Sequence, residues 1–419
     1  MHDFKLKHGR LYCERVPVEA IARSVGTPVY IYSRHTIVDH FQKLARAFRS
    51  LKPLICFSVK ANGNLAILKL LVEQGAGLDI VSGGELFRAR RAGCPGNRIV
   101  FASVGKRPEE IRQALAANIA CFNVESIAEL AAINNEAGRL KRTAPVALRI
   151  NPDVEAHTHQ YITTGVATSK FGINLELAEQ EILERWHRYP HLELRGFHLH
   201  IGSQITQAAP FIKAITKVGG LITRLRARGV RIETLNLGGG LGIVYKDEQP
   251  QTAEQFARKV VPHIRRLGVR LILEPGRFIV GNAGALVAQV LYLKESRGKR
   301  FVVVDAGMND LIRPALYSAY HEVLPASRTG RPSRVYDVVG PVCESADVLG
   351  RDRSLPEPRP GDFLAVLGAG AYGFVMSSNY NGRGRAAEVM VKGSKWFVVR
   401  KRETVEDLVR LETVPQAVL

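Results

Sequence analysis

The sequence has few cysteines and no long apolar run, and both features limit the classes of protein to which it can belong. Its 419 residues include five scattered cysteines: Cys13, Cys56, Cys94, Cys121 and Cys343. This odd number shows no metal-ligand spacing, so we expect a reducing compartment and no metal. No segment approaches the roughly 20 apolar residues of a membrane helix, and the first residues lack the apolar core of a secretory signal. The sequence therefore predicts a cytoplasmic protein without a membrane partner.

Aromatic residues are sparse, and acidic residues are outnumbered by basic ones. Aromatic residues make up 7% of the chain, and its formal net charge is +20. A basic chain can bind nucleic acid, but the basic residues here form short groups such as Lys141-Arg142, without interleaved aromatic residues. We therefore expect a solvated basic surface and no nucleic-acid partner. The charge also suits a site that holds a phosphate and carboxylates.

From about residue 50 to 280, short apolar runs alternate with amphipathic stretches, as in repeated strand–helix units. The predicted strands are Leu54–Ser58, Gly77–Ser82, Arg98–Ser103, Cys121–Val124, Val146–Asn151, Leu194–Ile201, Thr234–Leu237 and Arg270–Leu273. Such units predict an α/β fold, a TIM-like (β/α)8 barrel. A doubly wound open sheet is the alternative, because strand number alone does not establish closure.

Beyond the barrel pattern, strands are broken by Gly, Pro and Asp turns. The predicted strands are Val287–Leu293, Phe301–Val304, Arg334–Val339, Phe363–Leu367, Ala387–Val391 and Lys395–Val399. We expect residues 35–285 to form the barrel. Residues 1–34 and 286–419 should form a second, C-terminal β-rich domain, a β-barrel or sandwich, to which the opening segment adds a strand.

Reactive residues follow the predicted barrel strands, where the active sites of such barrels lie. Lys60 comes just after the first strand. Burial would depress the pKa of its amine and let it condense with an aldehyde, whereas a lysine that reaches water at the rim is the simpler alternative. Gly238, Gly239 and Gly240 follow the seventh strand. Their N–H groups could enclose a phosphate, since glycine lets the backbone turn inward.

Charged and imidazole side chains end two more strands. Glu274 could bind a pyridine nitrogen and keep it protonated, and Arg277 could clamp a carboxylate or phosphate; an ion pair between the two is the alternative. His198 and His200 have a spacing that could suit a metal, but no third ligand is evident. An imidazole stacked on an aromatic cofactor, with Ser203 on its phosphate, is equally consistent with this segment.

Together these motifs resemble the fold type III pyridoxal phosphate (PLP)-dependent decarboxylases, most closely those that act on diaminopimelate. The resemblance is carried by Phe57–Asn62, Asp79–Leu86, His198–Gln204, Gly238–Gly242, Glu274–Arg277, Met308–His321, Cys343–Asp347 and Gly370–Gly373. Order and spacing agree from about residue 25 to 410. Taken singly, Cys343 and Tyr372 would be read as a buried thiol and a turn tyrosine.

The resemblance implies PLP as the cofactor, bound as a Schiff base to Lys60. His200 would stack on its ring, and Glu274 would face the ring nitrogen. The residues implied around the phosphate are Ser203, Gly238, Gly239, Gly240, Gly276, Arg277 and Tyr372.

The resemblance also implies a homodimer with shared active sites, in which Cys343 of the partner chain donates a proton and Glu344 contacts the substrate. The positions that match substrate-binding residues are Arg277, Arg313, Tyr317, Glu344 and Tyr372. The implied reaction converts meso-2,6-diaminopimelate to L-lysine and CO2, the last step of lysine biosynthesis.

Three alternatives to this reaction remain at the sequence level. An ornithine- or arginine-type decarboxylase is the nearest, and Arg313 argues against it because ornithine has no distal carboxylate to bind. A racemase of the same fold is disfavoured, because we find no tyrosine base in place of the Cys343 motif. A nucleic-acid-binding protein that uses the +20 charge is the alternative from another class.

Overall fold

The computed structural model describes residues 2–155 and 170–416. The strands, in chain order, are β1 (Phe4–Lys7), β2 (Arg10–Cys13), β3 (Val16–Pro17), β4 (Val29–Ser33), β5 (Leu54–Ser58), β6 (Gly77–Ile80), β7 (Ile99–Phe101), β8 (Cys121–Val124), β9 (Ala144–Arg149), β10 (Leu192–His198), β11 (Thr234–Asn236), β12 (Arg270–Leu273), β13 (Gly284–Ser296), β14 (Lys299–Val304), β15 (Val323–Pro325), β16 (Ser333–Val339), β17 (Val348–Pro356), β18 (Phe363–Leu367), β19 (Ala387–Lys392) and β20 (Lys395–Arg400).

The α-helices, in the same order, are α1 (Val18–Val25), α2 (Arg34–Ala47), α3 (Leu65–Glu73), α4 (Gly83–Arg91), α5 (Pro108–Ala116), α6 (Ile127–Arg139), α7 (Leu175–Gln180), α8 (Ala209–Ala227), α9 (Ala253–Leu267), α10 (Arg277–Val280), α11 (Arg313–Tyr317) and α12 (Val405–Val409). No helix within the described ranges is long and apolar enough to cross a membrane.

The chain divides into two compact units. The barrel unit comprises Val38–Val244 and Glu248–Ile279, and the β-rich unit comprises Met1–Ile37, Tyr245–Asp247 and Val280–Leu419. In the barrel unit β5 to β12 pair in parallel, and the pairing of β12 with β5 closes the ring. The predicted (β/α)8 barrel is therefore confirmed, and the open-sheet alternative is wrong.

Helices α3 to α10 follow the barrel strands, and their starts are encoded locally. At the start of α4, the Ser82 hydroxyl accepts the backbone N–H of Glu85, and the Glu85 carboxylate accepts the N–H of Val81 at 2.7 Å. Ser126 caps α6 in the same way. These side chains satisfy N–H groups that have no partner within the helix.

The interior of the barrel changes from apolar to polar along each strand. Its lower part is a cluster of small and branched side chains: Cys56, Val100, Cys121, Ala147 and Ile272. Residues two positions apart on a strand point to the same side. The next inward positions on four of these strands are Ser58, Asn123, Arg149 and Glu274. Strand alternation thus carries polar groups to the carboxyl end of the barrel, the end where such barrels place their chemistry.

The β-rich unit is built on a sheet with the strand order β17-β16-β14-β13-β4-β19-β20. As expected, the opening segment contributes a strand, because β4 pairs antiparallel with β13 and parallel with β19. β18 pairs with β13 and β15, and β1 to β3 form a small separate sheet. The core of this unit is buried Val, Ile, Leu and Ala side chains, including Val29, Ile31 and Val389.

Candidate active site

Lys60 lies in a short 3-10 turn, Val59–Ala61, directly after β5. Its Nζ is 2.8 Å from Oδ2 of Asp79 on the neighbouring strand β6. The Asp79 side chain is fully buried, whereas the Lys60 side chain keeps 35% of its exposure. The lysine is therefore held by a carboxylate in the barrel mouth and still has access to a ligand.

The Asp79 carboxylate also contacts the Ser58 hydroxyl and lies near the charge of Glu274. The Ser58 hydroxyl lies 2.8 Å from Asp79 Oδ2 and 2.9 Å from the carbonyl oxygen of Glu274. Burial and the nearby negative charge of Glu274 raise the pKa of Asp79, against the opposing effect of Lys60. Burial also raises the pKa of Glu85 to about 7, although the N–H of Val81 and the charge of Lys60 oppose the rise.

Glu274 directly follows β12 and is 3% exposed. The side-chain amides of Asn123 and Asn236 both donate to its Oε1, at 2.9 and 2.6 Å. Its Oε2 is 3.0 Å from Nε2 of His198. Burial alone would raise the pKa of Glu274, but the charge and hydrogen bond of His198, the charge of Lys60 and the Asn236 amide outweigh it and lower the pKa to about 2. The carboxyl group is an anion at neutral pH.

The two histidines of the predicted motif have different surroundings. Strand β10 ends at His198, so the predicted strand to Ile201 is too long, and His200 lies in the following loop. Nδ1 of His200 is 3.3 Å from the backbone nitrogen of Gly239, which donates to it. Desolvation and the positive charges of Arg149 and Lys60 hold the pKa of His200 well below its usual value. His200 is therefore a neutral imidazole at the barrel mouth.

The glycine segment after β11 packs too closely for side chains. Gly238 has φ of +65°, and a Cβ there would lie 2.3 Å from the carbonyl oxygen of Leu199. A Cβ on Gly239 would lie 2.2 Å from the carbonyl oxygen of Glu274, and one on Gly240 2.4 Å from that of Gly202. Only glycine permits this approach of the loop to the ends of the neighbouring strands.

Arg277 lies at the start of α10 and is 6% exposed. Its Nη2 donates to the Ser203 hydroxyl at 3.0 Å. Gly276, the preceding residue, packs against the turn that follows β5, since a Cβ there would lie 2.9 Å from the Cβ of Ala61. A guanidinium, a hydroxyl and nearby backbone N–H groups form a donor set suited to a phosphate.

Two buried ion pairs lie next to the polar side chains at the carboxyl end of the barrel. Arg149 donates to Glu125 at 2.6 Å, and both side chains are almost fully buried. Nζ of Lys106 donates to Glu129 and, at 2.8 Å, to the carbonyl oxygen of Asn123. Because Asn123 also donates to Glu274, this network fixes the backbone that presents one of the Glu274 donors.

In the β-rich unit, Arg313 begins α11 and is 7% exposed. Its Nε donates to Nε2 of His321 at 3.3 Å, and the other ring nitrogen of His321 lies 2.9 Å from the carbonyl oxygen of Leu367. The guanidinium lies over two aromatic rings, 5.2 Å from the ring centre of Tyr245 and 5.8 Å from that of Tyr317. The structure thus brings Arg313 and Tyr317 together, as a cation in contact with two aromatic rings.

Three more predicted residues lie elsewhere in this unit. Cys343 is exposed, which corrects its reading as a buried thiol, and its N–H donates to Asn381 at 2.7 Å. Glu344 is also exposed, and the Tyr380 hydroxyl is 3.4 Å from its carboxylate. Tyr372 takes a left-handed conformation with φ of +56°, which is uncommon for a residue other than glycine and is concentrated at functional sites.

A cleft of about 360 Å³ lies in the same unit. It is lined by residues in and just after α11 and by residues of the segment after Cys343, among them Pro314, Tyr320, Ala346 and Arg351. Arg353, which also lines the cleft, has its guanidinium 4.0 Å from the ring centre of Tyr320. Among residues 2–155 and 170–416, no group of three or more His, Cys, Asp or Glu side chains is arranged to hold a metal ion.

Sequence reasoning gave no role to Asp79, Asn123 or Asn236, and considered His198 only as a metal ligand or ring-stacking group. All four occupy inward positions at or near the ends of parallel strands. One sequence signal could have found them: each is a polar side chain flanked on both sides by apolar residues in a predicted strand. A buried polar group requires a hydrogen-bond partner, so such residues indicate a polar site inside the barrel.

The donor set of the barrel unit fits PLP. It offers an amine on Lys60, a buried anion on Glu274 for a protonated pyridine nitrogen, and the cationic and hydroxyl groups of Arg277 and Ser203 for a phosphate. His200 adds a neutral imidazole, which can pack against an aromatic ring.

The chain is similar in sequence and in structure to known pyridoxal-dependent decarboxylases. A family model described as "Pyridoxal-dependent decarboxylase, pyridoxal binding domain" matches residues 34–281. Diaminopimelate decarboxylase of Vibrio cholerae is 47% identical over 407 residues, covering 97% of each chain. That of Pseudomonas aeruginosa is 48% identical over 408 residues, covering 97% of this chain and 98% of the relative. The crystal structure of the M. jannaschii enzyme in co-complex with L-lysine superposes with a TM-score of 0.95 at 39% identity, covering 100% of both chains.

Proposed function

This chain belongs to the diaminopimelate decarboxylases, a family of pyridoxal-dependent decarboxylases, and from that premise we propose how its residues act. The reaction is the decarboxylation of meso-2,6-diaminopimelate to L-lysine and CO2. The observation that carries the assignment is the buried Glu274 anion with three donors, beside a lysine paired with Asp79, at the carboxyl ends of the barrel strands.

PLP, when bound, supplies an electron sink for the electron pair left behind as CO2 departs. Lys60 is the attachment point, and Asp79 holds its Nζ in the barrel mouth. Glu274 stays ionised, so that it stabilises a proton on the ring nitrogen. His200 would pack against the ring as an uncharged imidazole and would place no second positive charge beside the protonated ring nitrogen.

The phosphate is held by Arg277, by the Ser203 hydroxyl that Arg277 already contacts, and by the glycines. The backbone N–H groups of Gly240 and Gly276 supply further donors. Gly238 and Gly239, whose N–H groups donate to Asn236 and His200, line the phosphate site and leave room for it because they carry no side chain. Tyr372 is proposed as an additional phosphate and substrate contact, because its left-handed backbone is a strained conformation in a glycine-rich turn.

Substrate selection rests on groups that match the two ends of diaminopimelate. We propose that Arg313 and Tyr317 bind the distal carboxylate, since a guanidinium oriented by His321 and by two aromatic rings presents a preoriented fork. Arg277 also contacts substrate, and Glu344 binds the distal ammonium. Ornithine lacks the distal carboxylate and would leave the Arg313 charge without its partner, which disfavours it.

We propose further that the enzyme is a homodimer with shared active sites in the cytoplasm. Cys343 and Glu344 are exposed on their own chain, as expected for groups that act in the site of a partner subunit. There the Cys343 thiol would return a proton to the substrate carbon. The scattered cysteines support a reducing compartment.

Borohydride reduction of the holoenzyme followed by peptide mapping tests the attachment point. The pyridoxyl group is expected on Lys60, and a tag on any other lysine would overturn the assignment. Lys52, an exposed lysine before the same strand, serves as the internal control peptide.

Substrate choice is tested by CO2 release from meso-diaminopimelate, ornithine and arginine under identical conditions. We expect release from meso-diaminopimelate alone. Release from ornithine at a comparable rate would favour the ornithine-type alternative, and Arg313→Leu should then leave that rate unchanged.

The shared site is tested by mixing two inactive variants, Lys60→Ala and Cys343→Ala. If each site takes Lys60 from one subunit and Cys343 from the other, each mixed dimer regains one of its two sites. A 1:1 mixture at complete exchange, in which half of the dimers are mixed, should then regain about a quarter of the wild-type activity. No recovery, in a mixture whose subunit exchange is verified by mass spectrometry, would refute the shared site.

A further inference from the structure

The strongest unexplained feature of the barrel is the asymmetry of the hydrogen bonds to Glu274. Both amide donors, from Asn123 and Asn236, go to Oε1, whereas among the described residues Oε2 receives a hydrogen bond from His198 alone. A carboxylate oxygen accepts about two hydrogen bonds, so Oε1 is filled by protein and Oε2 keeps one free lone pair. Oε2 is therefore the oxygen with capacity for the ring N–H, and His198 is the donor that shares that oxygen with it.

The position of His198 suits this role. It is the last residue of β10 and is 1% exposed. Its Nε2 faces an ionised carboxylate, which can only accept, so Nε2 carries the proton. Its Nδ1 is buried without a hydrogen-bond partner among the described residues. Within the described part of the chain, Glu274 is therefore the one hydrogen-bond partner of the His198 imidazole.

We infer that His198 is a positioning residue that keeps Glu274 ionised through Oε2, so that the proton between Glu274 and the cofactor ring lies on the ring nitrogen. Removing the donor makes Glu274 more basic, because its negative charge loses a charge-assisted hydrogen bond. The shared proton then moves from the ring nitrogen towards Glu274. This inference rests on the proposed function, since it requires PLP in the barrel mouth.

The inference is tested with nitrogen-15 NMR of PLP labelled at its ring nitrogen, bound to the holoenzyme, because that chemical shift reports the ring proton directly. In the wild-type enzyme we expect the shift of a protonated ring. In His198→Leu, which removes the donor but keeps an apolar side chain of similar size, the signal should move towards the unprotonated value. His198→Gln, which keeps an N–H donor at similar reach, should retain the wild-type shift.

Two control variants separate this role from general effects of burial. His40 is a second buried histidine of the barrel unit, and its Nδ1 lies 3.1 Å from the carbonyl oxygen of Ile279 rather than near Glu274. His40→Leu should leave the nitrogen-15 shift unchanged. Asn236→Leu removes a donor from Oε1, where Asn123 remains, and should move the signal less than His198→Leu does.

Each outcome decides a separate claim. A wild-type enzyme that binds no PLP refutes the proposed function. A wild-type enzyme with a protonated ring, together with an unchanged signal in His198→Leu, refutes only the role of His198. If His198→Leu does not fold, His198→Gln remains decisive, because loss of the ring proton in a variant that keeps the donor overturns the inference. A shift in Asn236→Leu equal to or larger than that in His198→Leu also overturns it.

Discussion

The buried pair of Lys106 and Glu129 offers a sharp test of the energetics of the barrel. The Lys106 side chain is fully buried and that of Glu129 is 8% exposed. Lys106→Met would leave Glu129 as a buried charge without its partner, which costs about 3–5 kcal/mol. The neighbouring Arg107 is 68% exposed and pairs with the exposed Glu109 and, more weakly at 3.6 Å, with Glu110, which keeps backbone N–H donors of its own. Arg107→Met is therefore the matched control, with an expected cost of about 0–1 kcal/mol.

The assay can be confined to the barrel unit, because the chain has two tryptophans and each unit holds one. With Trp396→Phe as background, the fluorescence of Trp186 reports urea unfolding of the barrel alone. This matters because a protein with two units does not unfold as a single two-state system. If Lys106→Met lowers the free energy of unfolding as little as Arg107→Met does, the buried ion pair does not have the proposed energetic importance.

The pH dependence gives an independent check. Burial raises the pKa of Glu129 above its ordinary value, although the charge of Lys106 opposes the rise. Without Lys106 this pKa should rise further, so the folded state binds the proton more tightly than the unfolded state. Stability then falls as pH rises from the ordinary carboxyl range through the folded pKa. The loss of unfolding free energy in Lys106→Met should be smaller at pH 5 than at pH 8. Adding Glu129→Gln should remove this pH dependence and recover part of the loss.

Three further predictions concern ligands. Gly238→Ala should weaken PLP binding at least tenfold by fluorescence titration, because its Cβ would clash with backbone. Gly229→Ala, which also has a positive φ but open space around it, should leave binding within about twofold and cost only about 1–2 kcal/mol of stability. Arg277→Lys should also raise the PLP dissociation constant about tenfold or more, since lysine cannot reproduce the guanidinium fork at Ser203; unchanged affinity would contradict the phosphate assignment. Arg313→Lys should raise KM for meso-diaminopimelate more than it lowers kcat in steady-state assays, and a pure kcat effect would place Arg313 outside substrate binding.

Much of the fold could be predicted because buried parallel strands are short apolar runs bounded by turns. β5, β8 and β12 have the predicted bounds, and the other barrel strands differ by a few residues at their ends. Strand β17, Val348–Pro356, was missed. It has little alternation and contains glycine, and its pairing with β16 is interrupted by register shifts, so no period of two is visible in the sequence.

The partners of Glu274 could not be predicted in the same way. Asn123 and Asn236 lie 151 and 38 residues from Glu274 in the chain, and neither belongs to a motif. Their meeting depends on which strands become neighbours across the closed barrel and on which side chains point inward. His198 was visible as part of a His-x-His pattern, but its partner was not.

The sequence by itself determined the reactive groups and their places at strand ends: Lys60, Glu274, Arg277 and the glycines after β11. It did so because alternation, turn residues and chemical type are local properties of the chain. Only the tertiary structure decided how those groups are held and charged. Closure of the barrel brings Asp79 to Lys60, and two amides and His198 to Glu274. In an environment that excludes water, such contacts decide whether a buried group is ionised, and that property depends on distances across the barrel.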